Sequence, residues 1–191
     1  GNKRISDETI KIYGDINLNK DYSEEDLNNI INDLYNTEFF EDIKINLSNN
    51  TLQIDLKEYP VISQLIVVGE PSKRYTEQIK KIIKLKEKKS FNRSYLANDE
   101  ERIKTLYSSL GFNSATVKSK IKVINQNSLD LLIEINRGEK TKITEIKFIG
   151  NSNIRANRLL DVIASEEDKF WKIISRNTNL SENLINLDKR L

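Results

Sequence analysis

Three consecutive carboxylates, Glu24, Glu25 and Asp26, have side chains of the types that serve metal binding and acid–base chemistry. Such sites usually add histidine or cysteine, and the 191 residues contain neither. Histidine triads and thiolate metal sites are therefore excluded. Ser23 stands directly before the acids as an N-cap residue would, and Asp26 three residues on completes the pattern of a capping box. Negative charge also stabilises the first turn of a helix. We therefore predict a capped helix start, no cofactor and no enzymatic activity.

Lysines at alternate positions form a second candidate group. Lys118, Lys120 and Lys122 are separated by Ser119 and Ile121, so the spacing places the three lysines on one face of a strand. On an edge strand such lysines prevent aggregation with other sheets, and this interpretation requires no ligand. Alternatively, they form a basic row beside a docked peptide strand. The spacing alone leaves both interpretations open.

A longer basic run extends from Lys80 to Lys89. It lacks the interleaved aromatic residues on which nucleic-acid bases stack. Lys and Arg together number 31 against 29 Asp and Glu, so the net charge is only +2. No apolar run approaches the ~20 residues that a membrane-spanning helix needs. The composition therefore predicts neither nucleic-acid binding nor a helical membrane span.

The stretch from residue 22 to residue 60 predicts one helix followed by one hairpin. Apolar residues recur first at helical spacing, and the period then changes from about 3.6 to 2. The helix stripe is Leu27, Ile30, Ile31, Leu34 and Tyr35, and the strand positions are Ile43, Ile45, Leu47, Leu52, Ile54 and Leu56. Residues 48–50 between the strands have turn chemistry. One apolar helix face and one apolar hairpin face predict a small core.

The same order of elements returns later in the chain. The pairs Leu34–Tyr35 and Leu106–Tyr107 lie 72 residues apart, so we expect Leu34 and Leu106 to be equivalent core residues. The second hairpin is predicted at Thr116–Val123 and Leu129–Ile135. Such a period is longer than that of helical solenoids, and it indicates a repeat of whole small domains.

A strand is also expected before each of two glycines, at Val61–Val68 and at Ile143–Ile149, and the helix after the second glycine is predicted at Ala156–Ser165. The unit then has the order strand, helix, helix, strand, strand, in the α+β class. It divides the chain into residues 1–59 without a first strand, the complete unit 60–139, and the N-terminal part of a third unit, 140–191. The short linkers at Tyr59–Pro60 and Arg137–Gly138 are predicted hinges.

Several segments in this order resemble the POTRA (polypeptide-transport-associated) domains of outer-membrane β-barrel assembly factors. The segments are Ser23–Asp26, Leu34–Ile43, the strand Leu52–Glu58 ending at Pro60, Phe148–Asn151 and Phe170–Ile174. The resemblance extends over nearly the whole chain. It implies tandem domains in which two helices pack on a three-stranded mixed sheet whose second strand lies at an edge.

The resemblance implies a binding and scaffolding role on the periplasmic side of the outer membrane of a Gram-negative bacterium. Expected partners are unfolded outer-membrane proteins, periplasmic chaperones and accessory assembly lipoproteins, with no nucleic acid. Contact with the membrane would come only through a C-terminal barrel that this sequence does not contain. The alternative is the POTRA region of a two-partner secretion transporter or of another translocation or assembly factor.

By the same resemblance, the second strand of each unit would accept an extended peptide by β-augmentation. The predicted peptide-binding residues are Ile43, Lys44, Ile45, Asn46 and Leu47 in the first unit and Thr116, Val117, Lys118, Lys120 and Lys122 in the second. The aromatic pair Phe170–Trp171 either fills a core or contacts a partner, since Trp is favoured at interface hot spots.

Overall fold

A computed structural model describes residues 2–17, 20–49, 51–151, 153–169 and 177–191. The chain forms two compact units. One comprises Gly1–Ile66, Lys84–Leu96 and Ile121–Leu132, and the other comprises Val67–Ile83, Ala97–Lys120 and Ile133–Leu191. The division into units 1–59, 60–139 and 140–191 remains a prediction. The segment Phe170–Ile174 lies outside the described residues.

Two helices open the chain, α1 at Asp7–Tyr13 and α2 at Glu24–Asn36. The predicted capping box at the start of α2 is confirmed: the Asp26 N–H donates to Ser23 Oγ at 3.2 Å, and the Ser23 N–H donates to Asp26 Oδ2 at 3.0 Å. Lys20 Nζ lies 2.6 Å from Asp26 Oδ1. Hydrogen bonds from Lys20 and then from Ser23 hold the pKa of Asp26 well below its usual range. The acids therefore serve the helix start.

The first hairpin consists of β1 at Phe40–Ser48 and the antiparallel strand β2 at Thr51–Glu58. Ile45 lies opposite Ile54, so the alternating apolar side chains of both strands lie on the same face of the hairpin. The buried core against the helices is Ile10, Ile30, Leu34, Phe40, Ile43 and Leu56. Asn49 turns the chain with a φ of 48°, while Asn50 lies outside the described residues. The predicted helix–hairpin core is present.

A three-stranded sheet follows, with the order β3–β5–β4. Its elements are β3 at Val61–Val68, α3 at Lys73–Ile82, α4 at Ser94–Ser109, β4 at Thr116–Asn125 and β5 at Ser128–Asn136. The Val61 N–H donates to the Asn127 carbonyl, and the far end of β3 passes close to Ile135, so β3 and β5 run parallel. The two residues between β4 and β5 permit only an antiparallel pair. The α+β class with a mixed three-stranded sheet is confirmed.

The predicted equivalence of Leu34 and Leu106 is wrong by one position. Tyr107 is fully buried, whereas Leu106 is only half-buried. The buried residues Ile103 and Tyr107 of α4 correspond to Ile30 and Leu34 of α2, which gives a spacing of 73 residues. Leu and Tyr are adjacent and both apolar, so the helical period alone does not decide which one faces the core.

The predicted strand at Ile143–Ile149 is also wrong. A strand needs a neighbour for its backbone groups, and here loop residues take that place. The Ile143 N–H donates to the Thr178 carbonyl at 2.8 Å, and the Ile143 carbonyl accepts from the Asp168 N–H at 2.6 Å. Lys142 and Asn179 form an isolated bridge. Within the described ranges, single contacts rather than a sheet hold this segment.

The described residues of the last third of the chain form two short helices, α5 at Ala156–Leu160 and α6 at Glu182–Asp188. The helix predicted at Ala156–Ser165 therefore ends earlier than expected, at Leu160. Asp188 explains its end, because the carboxylate accepts the N–H groups of Ala164 and Ser165 at 2.7 and 3.1 Å and also binds the Ser165 hydroxyl. These bonds hold the backbone in a turn in place of a continued helix.

Candidate peptide-binding edges

The predicted residues of the first edge all lie on β1. Ile43 is buried and Ile45 half-buried, while Lys44, Asn46 and Leu47 are exposed. The Ile43 N–H donates to the Tyr35 hydroxyl of α2 at 3.2 Å, so it points away from β2. N–H direction alternates along an antiparallel strand, so the N–H groups of Ile45 and Leu47 also point outward. This side of β1 pairs with no other strand of the described chain.

The predicted residues of the second edge lie on β4, which the strand order places at one side of β5. Val117 is buried, and the four remaining residues, Thr116, Lys118, Lys120 and Lys122, are exposed. Toward the turn, Val123 and Ile124 are 71% and 51% exposed. The end of β4 near its turn therefore presents an apolar surface next to the lysines.

Ser119 shows which backbone groups of β4 face outward. Its N–H donates to Glu100 Oε1 of α4 at 2.9 Å. On the other face, Lys120 Nζ binds Glu134 Oε1 at 2.7 Å, so Lys120 and Glu134 lie opposite each other. The bond from Val61 to Asn127 directs the odd-numbered residues of β5 toward β3, and Glu134 therefore faces β4. The backbone of Lys120 then bonds to β5, and Ser119 and Ile121 face outward.

The lysine row is exposed along β4. The Lys120–Glu134 pair is solvent-exposed, with side chains 65% and 36% accessible, so it adds little stability. Lys118 and Lys122 have no ion-pair partner within the described chain. This face of the edge therefore presents two lysine ammonium groups without an ion-pair partner in the described chain and one in a weak pair.

The first predicted hinge is tied by backbone hydrogen bonds. The Tyr59 N–H donates to the Phe39 carbonyl at 2.9 Å, and the Pro60 carbonyl accepts from the Phe91 N–H at 2.7 Å. The preceding residue, Glu58, accepts the consecutive N–H groups of residues 3–5 at 2.8 to 3.0 Å. Burial opposes ionisation of Glu58, but these donors lower its pKa overall. Hinge motion at this linker remains a prediction.

At the second predicted hinge, the side chain of Arg137 lies near a buried carboxylate. Arg137 Nη1 lies 3.6 Å from Glu70 Oε1, and the Glu70 side chain is fully buried. Glu70 also accepts from the Tyr107 hydroxyl at 2.5 Å and from the Ser72 N–H at 2.7 Å. Burial and then the Glu70 hydrogen bond raise the pKa of Tyr107 above its ordinary value. The next residue, Gly138, has a φ of 64°, and a Cβ there would lie 2.6 Å from Ser114 Oγ.

Four side chains that make contacts at the edges and at the second hinge were not identified from the sequence: Tyr35, Glu70, Glu100 and the hydroxyl of Tyr107. Each acts on a partner at least eight residues away, and periodicity reports no such contact. The sequence signals were weak ones, such as a tyrosine within a buried stripe. Motion at Arg137–Gly138 and peptide binding at either edge stay predictions.

Other kinds of site find no support in the described residues. No group of three or more His, Cys, Asp or Glu in that part of the chain is arranged to hold a metal ion. No helix among the described ranges is long and apolar enough to cross a bilayer. A cleft of about 770 Å³ lies beside α1 and β2, and its lining mixes Ile10, Leu52 and Ile54 with lysines and asparagines.

Residues 60–138 match the POTRA family model, described as a surface antigen variable number repeat. This segment belongs to the POTRA family. The match starts directly before β3 and ends after β5, so it contains the whole three-stranded sheet with α3 and α4. The β4 edge and the Glu70–Tyr107–Arg137 contacts therefore lie within a POTRA domain.

Relatives extend the similarity beyond this domain. The chain is 24% identical over 191 residues to the outer membrane protein assembly factor BamA of Neorickettsia risticii, covering all of this chain and 26% of the relative. It is 28% identical over 167 residues to BamA of Buchnera aphidicola, covering 86% of this chain and 27% of the relative. The chain thus spans about a quarter of the length of these relatives. The crystal structure of POTRA3-5 of Haemophilus influenzae BamA aligns with all of this chain and 80% of that one, at 19% identity and a TM-score of 0.46.

Proposed function

We propose that this chain is the POTRA region of an outer-membrane β-barrel assembly factor, acting on the periplasmic side of the membrane. The observation that carries the proposal is a POTRA domain whose strand β4 lies at a sheet edge with outward backbone groups. The similarity to BamA over the full chain supports it. The region is a binding and scaffolding module rather than an enzyme.

In this role, β1 and β4 receive extended segments of unfolded outer-membrane proteins by β-augmentation. Backbone pairing is largely indifferent to side chains, which suits a receiver of many different barrel strands. Lys118, Lys120 and Lys122 favour segments with acidic residues on the matching face. Chaperones would deliver the clients, and other POTRA surfaces would hold accessory lipoproteins.

Proline substitution tests the edge, and the N–H directions decide where it belongs. Ile121 has an outward N–H, so Ile121→Pro removes a donor that the sheet itself does not use. Lys120 has an inward N–H, so Lys120→Pro would break the pairing of β4 with β5. Ile45→Pro is the corresponding variant on β1, because the Ile45 N–H points outward as that of Ile43 does.

The assay is titration of the 15N-labelled chain with a barrel-strand peptide of alternating apolar and acidic residues. We expect Ile121→Pro to weaken binding, while the matched control Ile121→Ala keeps the donor and most of the affinity. Lys120→Ala should change the salt dependence of binding more than its position. Peptide-induced shifts confined to the helices, with β1 and β4 silent, would refute the proposal.

A further inference from the structure

We propose that each edge strand is open to a docking segment only near its turn, because a side chain from the adjacent helix closes the other end. The inference rests on the proposed function, since it defines where on the edges a client pairs. It assigns this closing role to Glu100 on β4 and to Tyr35 on β1. Neither residue belongs to an edge strand itself.

On β4 the closing contact is the bond from the Ser119 N–H to Glu100 Oε1. At 2.9 Å it is a full hydrogen bond, and it is partly buried. The hydroxyl of Ser119 is also buried, without a partner in the described chain. A docking strand that used the Ser119 N–H would have to displace a carboxylate from a charge-assisted bond. The edge is therefore closed at this position.

On β1 the same arrangement uses a different side chain. The Ile43 N–H donates to the Tyr35 hydroxyl at 3.2 Å, and Tyr35 lies at the end of α2. Glu100 and Tyr35 come from different turns of their helices, so the repeat alone does not explain the agreement. In both strands, an outward N–H in the half of the strand away from the turn is occupied by a helix side chain.

The open donors are the next outward groups along each strand, Ile121 and Val123 on β4 and Ile45 and Leu47 on β1. Side-chain exposure follows the same division. Val123 and Leu47 are 71% and 44% exposed, whereas the helix-proximal Val117 and Ile43 are buried. A short extended segment fits this half of the edge, with apolar side chains against the exposed apolar residues and acidic ones beside the lysines.

The test begins without any peptide, on the chain of 191 residues. Glu100→Ala should speed hydrogen exchange of the Ser119 amide, while Glu100→Gln, which keeps an acceptor oxygen, should retain most of its protection. Tyr35→Phe should do the same to the Ile43 amide, and it tests the idea in an independent strand. Unchanged exchange at both amides would overturn the inference and leave the proposed function standing.

The second stage adds the alternating apolar and acidic peptide used above. In the unmodified chain, new protection should appear at Ile121 and Val123 and not at Ser119. Glu100→Ala should add Ser119 to the protected set and tighten binding by about three- to ten-fold, the value of one added hydrogen bond. A peptide-induced gain of protection at Ser119 equal to that at Ile121, in the unmodified chain, would overturn the inference. No peptide-induced protection on β1 or β4 in any variant would overturn the proposed function itself.

Discussion

Replacement of Tyr107 by Phe tests the buried contacts that anchor Arg137. The Tyr107 hydroxyl donates to Glu70 Oε2 at 2.5 Å, and both side chains are excluded from water. The ring meets Phe112 edge to face, with centroids 6.1 Å apart, and Phe keeps that contact. The substitution therefore removes one hydrogen-bond donor and almost no packing.

The expected loss of stability depends on the contacts that Glu70 retains in the variant. A hydrogen bond to a charged group contributes about 1.5–3 kcal/mol to stability. Glu70 retains the Ser72 N–H at 2.7 Å and Arg137 at 3.6 Å, so its charge is not left alone. We therefore expect a loss of about 2 kcal/mol, which raises the unfolding equilibrium constant about 30-fold.

The pH dependence has a definite sign. Burial and Glu70 raise the pKa of Tyr107, so the folded protein keeps the phenolic proton at a pH where the unfolded chain loses it. The stability that this provides is complete below the unfolded pKa of about 10 and is lost as the pH rises above it. Tyr107→Phe should therefore lose less stability than the parent protein between about pH 10 and pH 11.

The assay is urea unfolding followed by far-UV circular dichroism, with amide exchange of β5 as a local report on the domain. Tyr75→Phe is the matched control, because the Tyr75 hydroxyl has no hydrogen-bond partner in the part of the chain that the structure describes. Equal losses of stability in the two variants at pH 7, or an alkaline dependence of Tyr107→Phe that matches the parent, would contradict a stabilising bond from Tyr107 to Glu70.

Three further predictions concern the core, one glycine and one helix start. Leu34→Ala should cost about 2–5 kcal/mol in chemical denaturation, and Leu106→Ala clearly less because Leu106 is only half-buried; equal costs would contradict this. Gly69→Ala should prevent stable folding, since its Cβ would lie 1.9 Å from the Ile135 carbonyl oxygen. Gly150 has a similar φ with nothing within 4 Å, so Gly150→Ala should cost only the backbone strain of a positive φ, about 1–2 kcal/mol. Hydrogen bonds from Lys20 and then from Ser23 lower the pKa of Asp26, so the stability they provide is present above the unfolded pKa of about 3.9 and is lost on acidification. Asp26→Asn should therefore flatten an acid titration of helicity. Parallel titration curves for the variant and the parent would refute this.

Local signals in the sequence predicted much of the fold. The strand at Val61–Val68 has the predicted bounds, because a short run rich in β-branched residues that ends at a glycine favours a strand. The capping box at Ser23 and Asp26 was predicted from four adjacent residues. Such features depend on neighbours in sequence, so the residue types are sufficient evidence for them.

The failures have non-local causes. Residues 143–149 have the composition of a strand, but whether they form one depends on a partner strand elsewhere. The roles of Glu70 and Glu100 depend on residues 37 and 19 positions away along the chain. The edge position of β4 was expected by family resemblance, whereas the direction of each N–H needed the hydrogen bonds of Ser119 and Lys120.

The spacing of 73 residues preserves backbone conformation even where side chains differ. Glu38 and Gly111 both follow the second helix of their repeats with positive φ, 58° and 90°. A residue other than glycine costs about 1–2 kcal/mol in this region, so Glu38 is a strained choice. Its Oε1 binds Lys84 Nζ at 2.6 Å and the Tyr95 hydroxyl at 2.7 Å, and the bonds from Lys84 and then Tyr95 lower its pKa.

Lys84 Nζ also lies 3.7 Å from the centroid of the Tyr95 ring, so the three side chains form one contact cluster. The Lys84–Glu38 pair is about half exposed, and its strength alone is modest. Its effect is positional, because Glu38 connects the start of the first hairpin to residues 84–96. Glycine at the equivalent position 111 relieves the strain but offers no side chain. The two repeats thus share the backbone conformation of this turn. At residue 38 the strain of a positive φ comes with side-chain bonds to Lys84 and Tyr95 that a glycine could not form.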